Sequence, residues 1–505
     1  MSLLLRNGVL IDGAGRDGRR GDVLIVGEGI AEVGLFRPPE DVQVIDCTGL
    51  VVSPGFIDVH SHSDLQVLED RREKVRQGVT TEVVGNCGFS PYPAPADPRP
   101  LRAFANGIFC GDESWGWTSA KAYLDAAARS PVVNVASLVG HGSLRIAVAG
   151  HRLGPLTARE LDRLEGLLEE ALVEGACGFS TGLMYAPGSS APAEELERLC
   201  RIVARHEKIY ATHMRSYASG LLAALDEQLE LARRTGCRLQ LSHFQAAARA
   251  NWHLQRPALD RIEQAEREGL DVAFDCYPYV AGSTVLTQIL PQWALEGGPE
   301  ALLARLADRD ERARIERQTE AAFEWRWTDI YISAVGSPRN QSAVGRNLAE
   351  LADERGRKPV EVITDLLAEE RGQVNIIAFN QSEENLRETL THPLSMVASD
   401  GFYVRGRPHP RLYGTFPLWL GTFVRERRWL SLPEAIAKIT WRPAERFGLR
   451  QRGRLEPGYL ADLTVFDPQT VAGPASYDEP ERPPVGIRYV IRNGKIQWSA
   501  SQAPA

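Results

Sequence analysis

Gly55-Phe56-Ile57-Asp58-Val59-His60-Ser61-His62-Ser63-Asp64 is a short apolar run ending in two histidines one residue apart. Read as a buried strand, it carries two imidazoles at its carboxyl end, a spacing that suits one divalent metal. Alone, the pair could equally be two solvated loop histidines. Working outward, other apolar runs end in the same way: residues 80–86 lead to Cys87, 209–212 to His213, 238–242 to His243 and 395–399 to Asp400. In a closed barrel of parallel strands the carboxyl ends meet at one face, so side chains distant in sequence can share one metal.

The middle of the chain alternates strand and helix patterns, which argues for βα units. Strands are expected at residues 56–60, 80–86, 132–139, 177–182, 210–213, 239–243, 271–276 and 396–400. Eight is the number that closes a barrel. Between two of them, Thr157-Ala158-Arg159-Glu160 reads as a capping box, Leu161, Leu164, Leu168 and Leu172 form one apolar face, and Gly175 ends the helix. The first fifty residues instead read as short strands with tight turns, and that texture returns after residue 453, with a hairpin signal at Arg492-Asn493-Gly494-Lys495.

The expected fold is α/β: a TIM-like (β/α)8 barrel at 54–440, a small β-sandwich from 1–53 plus 441–505, and a helical insertion at 282–391 after strand seven. Trp293, Trp325 and Trp327 are expected to build a core within the insertion, the other reading being a lid. Residues 499–505 are expected to fray.

A chain of 505 residues with a net charge of −8 is long enough for a large core and carries no basic stripe for nucleic acid or anionic lipid. No basic leader precedes an apolar core, and no apolar run nears the ~20 residues needed to cross a bilayer. A cytoplasmic protein acting on a small molecule is expected. The seven cysteines include no Cys-x-x-Cys pair, so neither a disulfide framework nor a structural zinc finger is expected. Cys177 opens a strand, which puts it at the barrel face opposite Cys87.

Five motifs resemble the amidohydrolase superfamily, and within it the D-aminoacylase (N-acyl-D-amino-acid deacylase) family: Ser53 to His62; Gly78-Val79-Thr80-Thr81 running into Gly85-Asn86-Cys87-Gly88; Thr212-His213-Met214-Arg215; Leu241-Ser242-His243; and Ala398-Ser399-Asp400-Gly401. The His-x-His segment marks only the superfamily; the Asn-Cys-Gly segment is the specific one. Many relatives bridge two metals with a carbamylated lysine at the end of strand four, where this chain has Gly178-Phe179-Ser180-Thr181-Gly182 and no lysine. The resemblance implies that Cys87 takes that role, since a thiolate is a strong anionic zinc ligand and can span two ions. It further implies that Cys87, His213 and His243 hold a tight zinc, and His60 and His62 a weaker second ion. Asp400 becomes the general base, taking a proton from a zinc-activated water and passing it to the leaving nitrogen. Asp58, two residues before His60, is expected to play a structural part or to support the site from behind.

An N-acyl amino acid also carries an α-carboxylate, which an arginine holds best. Arg411 matches the group's carboxylate-binding arginine, Tyr277 and Ser283 resemble its helpers, and Tyr185 resembles another residue of the substrate pocket. His141 is expected to line the pocket from the end of strand three, whereas His151, His206, His253 and His392 are expected to be structural or exposed. Some relatives place a lysine just after the strand-six histidine to hold an acidic side chain; His243-Phe244-Gln245-Ala246 has none, which implies neutral or hydrophobic D-side chains unless Arg249 substitutes. Handedness rests on the resemblance alone. Alternatives are a dihydroorotase- or hydantoinase-like cyclic amide hydrolase, a deaminase, and a non-catalytic scaffold on the same barrel.

Overall fold

The computed structural model describes residues 2–37, 39–110 and 114–502. Eight parallel strands run in chain order: β1 (Phe56–Asp58), β2 (Val79–Val84), β3 (Asn134–Gly140), β4 (Gly178–Gly182), β5 (Ile209–His213), β6 (Arg238–Leu241), β7 (Val272–Cys276) and β8 (Ser395–Val397). The barrel closes where Asp400 N donates to His60 O at 2.8 Å and His62 N donates to Gly401 O at 3.0 Å. Several strands stop short of the expected bounds, because their last residues turn toward the barrel axis. Cys87, His243 and Asp400 take positive φ values of 53°, 35° and 50°. Such backbone costs about 1–3 kcal/mol per residue and persists only where the surroundings enforce it.

The helix Ala158–Val173 has its capping box on Thr157 and Glu160 and buries Leu164, Leu168 and Leu172. At the amino-terminal end of the barrel, Ile57, Val83, Ile209 and Met396 pack on Ala444 and Phe447, so the helix Trp441–Arg446 plugs the bottom. Cys177 packs on that cluster, at the face opposite Cys87.

Both chain ends meet in one β unit: Leu463–Phe466 pairs antiparallel with Val51–Pro54. Its eight strands form one hydrogen-bonded sheet rolled on itself, with Ile30 N donating to Tyr459 O at 2.8 Å. Leu5, Val23 and Ile25 from one half share a core with Leu463, Val465 and Ile491 from the other. Ser499 does not fray; it is buried and ends the strand Lys495–Ser499, followed by one turn at Ala500–Gln502. Residues 503–505 lie outside the described residues.

The segment between β7 and β8 holds the expected helices, but they pack on a three-stranded antiparallel sheet of Ala281–Val285, Ile330–Val335 and Val374–Phe379. The helical expectation missed these strands because their partners lie tens of residues apart, and period-2 patterning in short runs is masked by neighbouring helices. Trp293, Trp325 and Trp327 pack on the core of this unit. Trp325 also reaches the cavity at the barrel mouth, which the core reading alone did not foresee.

Candidate active site

Three sets of ligand atoms crowd the barrel mouth, each within 4.8 Å of one another: His60, His62 and Cys87; Cys87, His213 and His243; and His60, His243 and Asp400. Cys87 belongs to two of them. Its Sγ lies 3.2 Å from His60 Nε2 and 3.5 Å from His243 Nε2. Asp400 Oδ1 lies 3.5 Å from His60 Nε2 and 3.4 Å from His62 Nε2.

The residues fit a metal by their unmet bonding. Both ring nitrogens of His213, Nδ1 of His62 and Nδ1 of His243 are buried with no hydrogen-bond partner. Buried polar atoms are rarely left so, and a cation facing such nitrogens satisfies them. The local backbone serves the same end. A Cβ at Gly182 would fall 2.0 Å from Cys87 O, so glycine there lets β4 approach the Cys87 loop closely.

Burial dominates the protonation of these groups. It drives His213 down to about 3 and pulls His62 and His243 below the usual imidazole range, keeping all three neutral and able to donate a lone pair. Burial also pushes the Cys87 thiol up despite His60 beside it, so binding a metal as thiolate must expel a proton. His60 runs the other way: burial would lower it, but Cys87, Asp275 and Asp400 hold it well above its ordinary value. Asp400 is held well below the carboxylate range, because Arg411 and His60 overcome the effect of burial.

Arg411 is 1% exposed, and its Nη1 lies 2.9 Å from Asp400 Oδ2 without the alignment of a hydrogen bond. Nη2 donates to Ser283 O at 3.2 Å, while Nε has no partner. The guanidinium lies 4.7 Å from the Tyr277 ring centre. Tyr277 OH takes a bond from Gln245 Nε2 at 3.0 Å, and Ser283 Oγ donates to Ile376 O at 2.9 Å. Ser283 therefore steadies the arginine through its carbonyl, with its hydroxyl proton already engaged. Tyr185 packs edge-on against His213 at 5.0 Å and bonds Thr284 Oγ1 at 3.1 Å.

One expectation fails, and the one exception allowed for the side-chain pocket does not apply. His141 does not line the cavity; it is buried, with Nε2 2.7 Å from Glu195 Oε1, beside Arg145. The strand end that should have carried it to the mouth becomes the first turn of helix His141–Ala149, which turns its ring toward Glu195. Arg249 is exposed and stacked 4.7 Å from Trp252, outside the cavity wall. Of the remaining histidines, His206 pairs with Glu169 and His392 with Glu263.

Several residues that support the site carry no motif signal. Asp275 Oδ1 lies 3.0 Å from His60 Nδ1 and accepts His243 N at 2.8 Å, turning His60 Nε2 toward Cys87. His409 accepts Arg411 N on Nδ1 at 3.0 Å and donates from Nε2 to Ala281 O at 2.9 Å. Beneath Asp400, the buried Lys74 pairs with Asp58, lies 3.6 Å from Glu82 and donates to Ser399 Oγ at 2.5 Å. Asp58 Oδ1 accepts Ser399 N at 2.9 Å, and Gly401 N donates to Ser399 Oγ at 2.9 Å, which clamps both neighbours of Asp400. Asp58 thus supports the site from behind.

A closed barrel with a histidine–cysteine cluster and a carboxylate at its carboxyl face defines the class, and residues 43–497 match the amidohydrolase family model. The chain belongs to the amidohydrolase family, in its D-aminoacylase branch. It is 37% identical to an N-acyl-D-glutamate deacylase of Alcaligenes xylosoxydans xylosoxydans over 98% of this chain and 93% of that one. A D-aminoacylase of the same organism is 36% identical over 98% of this chain and 94% of its own. The fold resembles the crystal structure of N-acyl-D-glutamate deacylase from Bordetella bronchiseptica complexed with zinc and a phosphonate mimic of the tetrahedral intermediate, with TM-score 0.85, 37% identity, and coverage of 100% of this chain and 97% of that one.

Proposed function

We propose that this protein hydrolyses N-acyl-D-amino acids to a carboxylate and the free D-amino acid. The observation that carries this reading is one cavity of about 310 Å³ in which Cys87, His213, His243, Asp400 and Arg411 all face inward. Zinc is the ion that thiolate and imidazole donors suit, with Cys87, His213 and His243 holding one ion and His60 and His62 available for a second. Bound there, zinc supplies a Lewis acid for the scissile carbonyl and the attacking water.

Asp400 moves the proton. Its Oδ1 takes it from the attacking water and delivers it to the departing nitrogen, which would otherwise leave as a strongly basic anion. In the free protein Arg411 keeps this carboxylate ionised but weakly basic. The substrate's α-carboxylate shares the charge of Arg411 and raises the basicity of Asp400 when the amide is in place. Nε and Nη1 of Arg411 are buried without hydrogen-bond partners and so have bonds to give that carboxylate once it enters, and Tyr277 and Ser283 hold the guanidinium in its plane.

The side chain is neutral or hydrophobic. Phe323, Trp325, Ile376 and Ala378 line the cavity near Asn380, and among the described lining residues Arg411 is the one lysine or arginine. Glu324 in the same wall would repel an acidic side chain. Among the described residues no helix is long and apolar enough to cross a membrane, and all seven cysteines are free, which supports a cytoplasmic setting.

The test is hydrolysis of N-acetyl-D-leucine and its L-enantiomer by zinc-loaded and chelated protein, with Asp400→Asn as control. We expect zinc-dependent, D-selective release of acetate, lowered by about 10²–10⁴-fold in Asp400→Asn with metal content unchanged. Equal activity in chelated protein, or equal rates on both enantiomers, would refute the reading. A tenfold preference for N-acetyl-D-glutamate over the leucine substrate would refute the side-chain assignment.

A further inference from the structure

Next to the active-site cavity lies a second one of about 110 Å³. The two share Ile108, Tyr185 and Gln288, so these three side chains are what stands between them. Beyond them the walls include Phe104, Val285, Leu295 and Leu302 together with Asn106, His151 and Arg371, and no carboxylate stands among the described residues that line the space. Phe89, two residues after Cys87, reaches it as well, with its ring 6.4 Å from His62 and 5.0 Å from Tyr185. The annexe therefore opens off the Cys87 side of the metal ligands, whereas Arg411 approaches from the Asp400 side.

A trans amide sends its acyl chain and its Cα away from the C–N bond in opposite directions. With the α-carboxylate on Arg411, the carbonyl faces the metal ligands and the acyl chain continues past Tyr185. The D-side chain has its own room near Tyr277, where Asn380 and Trp325 line the wall. Resting on the deacylase reading, we infer that the annexe is a subsite for the tail of an apolar acyl group, so that linear acyl chains longer than acetyl are substrates. Gln288 and Ile108 give way by side-chain rotation as the tail enters.

The experiment compares kcat/KM for N-acetyl-, N-butyryl- and N-hexanoyl-D-leucine in zinc-loaded wild type and in two annexe-filling variants, Ala103→Trp and Thr287→Trp. Both positions are partly exposed, so a larger ring is tolerated by the fold. Each buried methylene adds about fourfold in binding, the equivalent of ~0.8 kcal/mol. Wild type is expected to favour hexanoyl over acetyl by about tenfold or more, and the variants to erase that preference while keeping acetyl turnover within about twofold. Acetyl turnover with a steep fall at butyryl and hexanoyl, or a preference untouched by both variants, overturns the inference alone. No turnover of any of the three overturns it together with the deacylase reading.

Discussion

Replacing Lys74 with methionine strips the cation from a fully enclosed group. Lys74 is 3% exposed, Asp58 is fully buried and Glu82 is 2% exposed, and no other lysine or arginine among the described residues pairs with either carboxylate. Breaking such a buried pair on one side costs about 3–5 kcal/mol, because the carboxylates remain without compensation. With an unfolding entropy of about 2.1 cal/mol/K per residue, a 505-residue chain has roughly 1 kcal/mol/K. The expected loss in Tm is therefore ~3–5 °C, read by calorimetry on metal-loaded protein. The pH dependence sharpens the test. Burial already raises Glu82, and Lys74 opposes it. Without Lys74 the folded chain retains a carboxyl proton that the unfolded chain releases near its ordinary value of about 4.3. The folded state then binds more protons than the unfolded one, so the variant loses stability relative to wild type as pH rises from about 5 to 8. Adding Asp58→Asn and Glu82→Gln should recover most of the deficit. A Tm within 1 °C of wild type, or a deficit that shrinks with rising pH, would refute the reasoning.

Asp275→Asn should weaken zinc binding or turnover about 10–100-fold by freeing the His60 ring, measured by metal titration and by kcat on N-acetyl-D-leucine; unchanged values for both would remove Asp275 from the metal's support. Cys87→Ser should lower retained zinc after dialysis and lower the proton release that accompanies zinc binding, both read by titration calorimetry in two buffers, since the raised thiol must deprotonate to bind. Arg411→Lys should lower kcat/KM by at least about tenfold, because one ammonium cannot offer the planar fork that reaches both Ser283 O and an incoming carboxylate; near-normal kinetics would move carboxylate recognition elsewhere. Trp325→Ala should lower kcat/KM for N-acetyl-D-leucine more than for N-acetyl-D-alanine, and an equal effect on both would argue against a side-chain pocket there.

The barrel was legible because its signal is local and repeated: eight apolar runs at βα spacing, several ending in a ligand-type residue. The ligand cluster was legible for the same reason, since each of His60, His62, Cys87, His213, His243 and Asp400 stands at a strand end. What lay hidden were groups whose meaning depends on a partner far away in the chain. Lys74 reads as a surface lysine until Asp58 and Ser399, which is 325 residues on, close over it. His141 looked like a mouth residue because strand ends face the mouth, yet Glu195 captured its ring.

By itself, then, the order of residues determined that a parallel barrel forms, that its carboxyl face gathers imidazoles, one thiol and one carboxylate, and that both chain ends build one β unit. Those outcomes follow from hydrophobic period and from the direction that parallel strands share. Tertiary structure alone decided that Glu195 claims the His141 ring, that Arg411 spans Asp400 and Ser283, and that a largely apolar annexe opens past Tyr185. These depend on angstrom-scale distances between strands and on which neighbour claims each buried polar atom, and neither is encoded in any one segment.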